Sequence, residues 1–130
     1  MIGRFQCLVI DCPAPGALAP FYEQLLGLER IEESPEWITS RGADGVRVAF
    51  QRVDHYAPPD WGEGNPPQQM HLDVLVDDLD EGEVQVLTLG ASLLDGSDMP
   101  IGFRVYADPV GHPFCLVTAE GWPRNDTTSL

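Results

Sequence analysis

The sequence contains no lysine: its seven basic residues are all arginine, against 21 acidic residues, for a net charge of −14. Without lysine, Schiff-base catalysis and a phosphate-loop lysine are excluded. Without a basic stripe, the chain lacks the charge that neutralises phosphates in a nucleic-acid binder, and its acidity disfavours anionic membrane surfaces. We therefore expect neither nucleic acid nor a membrane as a partner.

Cysteine is scarce, and the three present (Cys7, Cys12 and Cys115) are odd in number and lack the spacing of a disulfide framework. Such usage is typical of a reducing compartment. The first residues lack the basic start and apolar run of a secretory signal, and no apolar stretch reaches the length of a membrane span. These features predict a cytoplasmic protein.

What the 130 residues do contain is a strand–helix–strand–strand–strand order that occurs twice. The glycines that end the two predicted helices, Gly27 and Gly90, are 63 residues apart, and the turn glycines Gly45 and Gly111 are 66 apart. Offsets close to half the chain indicate a duplicated module. We predict a single α+β domain with module 1 at about residues 4–54, a linker loop at 55–69, module 2 at about 70–119 and a polar tail at 120–130.

Apolar periodicity places the elements within this frame. The first helix is predicted over 17–26, where Pro20 is tolerable only in the first turn, and the second from Asp77 to Leu89, with acidic residues at its positive end. The strands are predicted at 4–11, 28–33, 36–41, 46–53, 70–76, 91–94, 103–106 and 112–118.

Three stretches resemble the vicinal-oxygen-chelate superfamily, which includes glyoxalase I, extradiol dioxygenases and bleomycin-resistance proteins. They are a "FY…LGL" helix end at Leu18–Leu28, a strand-to-helix step at Met70–Asp80 and a "DPxG" final hairpin at Tyr106–Val117. The chain is most similar to single-domain glyoxalase-like proteins. The resemblance implies two βαβββ modules that form curled mixed sheets around a cleft.

In metal-using relatives of this superfamily, four side chains from the first and last strands of each module hold one divalent metal. Carried over residue by residue, the first-strand positions fall on Gln6 and His71, and the last-strand position of module 2 falls on Cys115. The equivalent in module 1 is Gln51, or Ala49 if the hairpins align without a gap. Strand alternation does not choose between these two, because both point to the same face.

This donor set is poor for a catalytic metal. It offers one imidazole, two amide oxygens and one thiol, and none of the four positions carries a carboxylate that would neutralise a divalent ion. We therefore expect a cleft without a full metal site, with a divalent metal as the alternative and His71 as its best ligand. Trp61, in the proline-rich linker, is expected either to close over the cleft or to pack on a partner subunit.

The resemblance and the donor set together favour a small-molecule binder similar in logic to the bleomycin-resistance proteins, which are dimers that bind a cationic, aromatic ligand. The net charge agrees, since it attracts cations. A metal-dependent lyase, isomerase or dioxygenase with an atypical ligand set is the alternative, and an interaction module without a ligand is a third hypothesis. We expect a homodimer, with modules that pair either within one chain or between chains.

Overall fold

The computed structural model describes residues 1–62, 64–96 and 102–121 of the chain. The chain divides into two compact units, Met1–Ala57 and Pro58–Leu130. Residues 97–101 of the predicted loop and residues 122–130 of the predicted tail lie outside the described residues.

Unit 1 contains one helix and four strands in the predicted order. They are β1 (Leu8–Cys12), α1 (Pro15–Leu26), β2 (Glu29–Glu33), β3 (Trp37–Arg41) and β4 (Arg47–Arg52). The sheet order is β1-β4-β3-β2, with β1 parallel to β4 and the other neighbours antiparallel.

The described part of unit 2 repeats this arrangement. Its elements are β5 (Leu72–Leu75), α2 (Leu79–Thr88), β6 (Ser92–Asp95), β7 (Phe103–Ala107) and β8 (Pro113–Val117), followed by a short 3-10 helix at Ala119–Gly121. The sheet order is β5-β8-β7-β6, again with the first pair parallel. Two four-stranded mixed sheets with one helix each confirm the predicted α+β fold of two βαβββ modules.

Helix α1 begins with Pro15 in its first turn and ends at Gly27, whose φ of 68° is the left-handed conformation that glycine adopts without strain. The expectation for Pro20 was wrong, because this proline lies inside the helix rather than in its first turn. The helix continues past it because Phe21 and Tyr22 are buried in the core of unit 1. Packing here outweighs the backbone hydrogen bond that proline cannot donate.

Helix α2 begins at the predicted acidic step. The Asp78 side chain caps it by accepting a hydrogen bond of 2.9 Å from the Glu81 backbone N–H. The helix packs closely on its sheet at Gly82, where a Cβ would lie 3.1 Å from Leu116 Cδ1. Among the described residues, neither α1 nor α2 has the length and hydrophobicity needed to cross a bilayer.

Each helix is also tied to its own sheet by a charged network. In unit 1, Arg30 donates two hydrogen bonds, of 2.9 and 3.0 Å, to the carboxylate of Glu23, which also accepts one of 2.7 Å from Ser40. In unit 2, the buried Arg104 donates to Asp80 at 2.8 Å and to Glu83 at 3.2 Å. These contacts attach each helix to the sheet of its own unit.

Candidate functional site

The candidate site lies on the face of the unit 2 sheet that is turned away from α2. The central strand of the site is β8, which pairs with β5 on one side and β7 on the other. Successive side chains of a strand point to opposite faces. Leu116 points toward α2, so Cys115 and Val117 point to the other face. There they form a buried cluster with Val105, and Trp61 packs against it.

The turn before β8 fixes where this strand begins. The buried Asp108 accepts hydrogen bonds from the backbone N–H groups of Val110 and His112, and its second oxygen lies 2.7 Å from His112 Nδ1. Gly111, which lies between Val110 and His112 in this turn, has a φ of 105°. This turn starts β8 at Pro113 and so sets the position of Cys115 two residues later.

Three potential metal-ligand side chains meet on this face. His71, Asp73 and Cys115 place one ligand atom each within 4.8 Å of one another. His71 Nε2 lies 3.4 Å from Asp73 Oδ1, and each of these side chains is 32% exposed. Asp73 stands directly opposite Cys115 in the parallel pair of β5 and β8. The site therefore combines a nitrogen, an oxygen and a sulfur donor, two of them open to solvent.

The Cys115 thiol is held in its protonated form. Burial, the negative charge of Asp73 and a hydrogen bond to that carboxylate together raise its pKa to about 12. A thiol in this state is a poor nucleophile, because the thiolate is the reactive form. Cys115 therefore acts as a small buried residue unless a cation approaches and compensates the charge.

Trp61 forms one wall of the site. Its ring meets the His71 imidazole edge-on, with 5.5 Å between ring centroids and 81° between planes. Because it also packs on the cluster around Cys115, it shields the sulfur while leaving Asp73 exposed. Trp61 further lines a groove of about 420 Å³ together with Asp60, Asp95 and other residues of unit 2.

Of the five predicted site residues, the structure brings together His71, Cys115 and Trp61. His71 lies just outside β5, one residue before Leu72, rather than inside a strand. Gln6 and Gln51 belong to unit 1, where both side chains are exposed and Gln6 lies two residues before β1. Their participation in ligand binding stays a prediction.

The strand register gives an alignment of module 1 with the residues of the candidate site. Leu8 opens β1 opposite Val48, as Leu72 opens β5 opposite Phe114. On this register His71 corresponds to Cys7 rather than Gln6, which corrects the alignment of the repeat by one residue. In the same register, Asp73 and Cys115 correspond to the paired Val9 and Ala49. Module 1 therefore carries neither a carboxylate nor a thiol at the positions that correspond to Asp73 and Cys115.

Sequence reasoning missed Asp73. A signal was present, because His71 and Asp73 are two residues apart at the start of a predicted strand and so share a face. The four positions that the superfamily resemblance implies do not include this residue. Its carboxylate supplies the negative charge that those four positions lack.

The donor set fits a divalent transition metal. A nitrogen, a carboxylate oxygen and a sulfur are three of the ligand types that zinc sites use, and three protein ligands plus an open position form a typical catalytic arrangement. Ligand atoms that share one tetrahedral zinc lie about 3.3–3.8 Å apart, given the usual bond lengths. The pair of His71 and Asp73, at 3.4 Å, has this spacing.

Comparisons with known proteins agree with this fold. The sequence model of the glyoxalase-like domain matches residues 7–117. The chain belongs to the glyoxalase-like domain family. No curated protein matches the sequence. Since the family match spans both βαβββ modules, it confirms the resemblance to the vicinal-oxygen-chelate superfamily.

Solved structures similar to this glyoxalase-like chain come from the same superfamily. A glyoxalase/bleomycin resistance protein/dioxygenase family enzyme from Burkholderia phytofirmans PsJN is 16% identical, with a TM-score of 0.65 over 87% of this chain and 96% of its own. A glyoxalase-related enzyme from Fulvimarina pelagi is 19% identical, with a TM-score of 0.65 over 95% and 94%. The fosfomycin resistance protein FosX from Listeria monocytogenes, complexed with Mn(II) and sulfate, is 15% identical, with a TM-score of 0.68 over 91% of each chain. At these identities the likeness concerns the fold.

Proposed function

We propose that this glyoxalase-like protein binds one divalent transition metal through His71, Asp73 and Cys115, and that a small molecule binds beside it. The observation that supports this is the meeting of three different donor atoms within 4.8 Å on one face of a sheet. The proposal departs from the metal-free cleft expected from the sequence because Asp73 adds a carboxylate. With Cys115 as thiolate, the site carries two negative charges to balance the dication.

In this proposal the chain's own residues perform three tasks. His71, Asp73 and Cys115 hold the ion and leave a coordination position open to solvent, since His71 and Asp73 are exposed. Trp61 limits the access of water to Cys115 from one side. A bound divalent metal supplies Lewis acidity, which polarises an oxygen atom of the small molecule.

Apolar side chains on the same face indicate the kind of small molecule. Val117 of β8 is paired with Leu75 of β5 on one side and with Phe103 of β7 on the other. Leu75 and Val117 lie two residues further along their strands than Asp73 and Cys115, on the same face. Leu75 is 56% exposed and Phe103 is 46% exposed. A ligand that places an oxygen at the metal and an apolar group on Leu75 and Phe103 would use both features.

The direct test is the metal content of protein purified without chelator and dialysed against Zn²⁺. We expect one equivalent per chain in the wild type and less than about a tenth of that in a His71→Ala/Asp73→Asn double variant. The matched control is His55→Ala/Asp77→Asn, which removes an exposed histidine and an exposed aspartate outside the site. Wild-type protein without bound zinc, or equal zinc in the site variant, contradicts the proposal.

A second candidate function is metal-free binding of an organic cation, as the sequence suggested. It is favoured by the groove beside Trp61, whose described lining contains two carboxylates, Asp60 and Asp95, and no basic residue. An indole ring and carboxylates suit a cationic, aromatic ligand. Thermal-shift screening of such ligands distinguishes the two candidates: a shift that persists in excess chelator supports the second, and one that requires metal supports the first.

Two further predictions from the sequence complete the proposed function. We propose a homodimer in the cytoplasm as the working form of the protein. Light scattering coupled to size-exclusion chromatography tests the first part, and a mass of one chain at micromolar concentration contradicts it. Fractionation of the native host cell tests the second part, and recovery of the protein in a membrane or secreted fraction contradicts it.

A further inference from the structure

We infer that Cys115 makes the site select thiophilic divalent metals, such as Zn²⁺ and Co²⁺, which it binds through a sulfur–metal bond, over Mn²⁺ and Mg²⁺. This inference rests on the proposed metal-binding function, because it concerns the same three side chains.

The chemistry of the three donors favours such ions. Thiolate ligands favour zinc, cobalt and similar ions, imidazole suits the later transition metals, and carboxylate, carbonyl and water ligands suit magnesium and manganese. Among His71, Asp73 and Cys115, only Asp73 is a donor of the last kind. A manganese or magnesium ion at this place would therefore gain one preferred protein ligand.

The sulfur of Cys115 has little freedom to move away from the site. Cys115 lies on β8, whose backbone pairs with strands on both sides, opposite Asp73 in β5 and Val105 in β7. Its side chain is 4% exposed and packs with Val105, Val117 and Trp61. The sulfur therefore stays next to any ion that the carboxylate of Asp73 binds, because the Cys115 side chain cannot turn into solvent.

The balance of charge also favours a metal that binds sulfur. When the ion binds, the Cys115 thiol loses its proton to the buffer, and the thiolate and the Asp73 carboxylate together neutralise the dication. A metal that forms a strong bond to sulfur stabilises this state. A metal that does not would leave a buried thiol next to the ion, unused as a ligand.

The test uses the full chain and the metals alone. Co²⁺ bound through thiolate gives a near-ultraviolet charge-transfer absorption that cobalt bound through nitrogen and oxygen lacks. We expect this band to saturate at one equivalent of Co²⁺ per chain and to be lost in Cys115→Ser. It should be unchanged in Cys12→Ser, which removes the other buried thiol, on β1 of unit 1, and serves as the matched control.

Selectivity is then measured by competition of Zn²⁺ with Mn²⁺, with free Mn²⁺ followed by electron paramagnetic resonance. Because Mn²⁺ binds most sites more weakly than Zn²⁺, the decisive quantity is the change on removing the sulfur. We expect Cys115→Ser to lower the preference for Zn²⁺ by about tenfold or more, relative to the wild type and to Cys12→Ser.

The outcomes separate the two proposals. Cobalt that binds the wild type at His71 and Asp73 without the charge-transfer band, or a zinc preference unchanged by Cys115→Ser, overturns the inference and leaves the metal site standing. Wild-type protein that binds neither Zn²⁺ nor Co²⁺ overturns the proposed function and the inference with it.

Discussion

Asp73 and Cys115 face each other across the parallel pair of β5 and β8, and the carboxylate opposes ionisation of the thiol that it contacts. Two groups that would both be negative at the same place repel each other unless a cation lies between them. Without a cation the Cys115 thiol stays protonated, and in the proposed site both groups bind the dication. This relationship is the basis of the metal site proposed for module 2.

Asp73→Asn removes the charge beside Cys115 while keeping the size of the side chain. Because the negative charge raises the pKa of the thiol, we expect that pKa to fall, although burial keeps it above its usual value. At a fixed alkaline pH, alkylation of Cys115 by iodoacetamide, read by mass spectrometry, should be faster in this variant. Asp77→Asn, at an exposed position beyond β5, should leave the rate unchanged, and equal rates in all three proteins contradict the expectation.

Metal affinity should rise with pH because binding releases the proton of Cys115. With a pKa of about 12 for the free thiol, the group is protonated throughout the range from about pH 8 to 9, so the apparent affinity for Zn²⁺ should increase about tenfold over that unit. Calorimetry in two buffers of different ionisation enthalpy measures the protons released. Cys115→Ser should release one proton fewer, and an equal number in both proteins argues against sulfur coordination.

Arg104→Met tests the charged network that holds α2 to its sheet. The Arg104 side chain is 3% exposed and donates to Asp80 and Glu83, so its removal leaves acceptors without their buried cation. We expect a loss of about 1–3 kcal/mol in the free energy of unfolding, because Glu83, 23% exposed, loses its cation, whereas Asp80 is 84% exposed and is compensated by water. Arg52→Met, in an exposed pair, should cost about 0–1 kcal/mol by urea denaturation. Similar losses in the two variants contradict this.

Glu23 predicts an acid-dependent part of the stability. Hydrogen bonds from Arg30 and Ser40 lower the pKa of this carboxyl in the folded chain. Its contribution is then fully present above the unfolded pKa of about 4.3 and is lost as the pH falls through the lower folded value. The difference in unfolding free energy between the wild type and Glu23→Gln should therefore shrink below about pH 5. A constant difference down to about pH 3 rules out this contribution.

Much of the fold could be predicted from the sequence because its signals are local. Gly27 and Gly90 end the two helices, Gly45 and Gly111 occupy turns with positive φ, and the acidic step at Asp78 caps α2. Pro20 is an exception, because helix propensity includes only the hydrogen bond that proline cannot donate. The burial of Phe21 and Tyr22 outweighs that loss, and it depends on the tertiary fold.

The site was harder to predict because it depends on register between distant strands. Which residue faces Cys115 is set by the pairing of β5 with β8, some 40 residues apart in sequence. A shift of one residue in such pairing moves a side chain to the other face. The sequence-based alignment pairs His71 with Gln6, whereas the strand registers pair it with Cys7. Asp73 could have been found by alternation from His71, but its contact with Cys115 could not.

The most direct test of the account is anomalous diffraction from crystals of the zinc-loaded protein, recorded on both sides of the zinc absorption edge. The account predicts one anomalous peak per chain within bonding distance of His71 Nε2, a carboxylate oxygen of Asp73 and Cys115 Sγ. A peak at any other place, or fully loaded crystals without a peak at these three atoms, would contradict it.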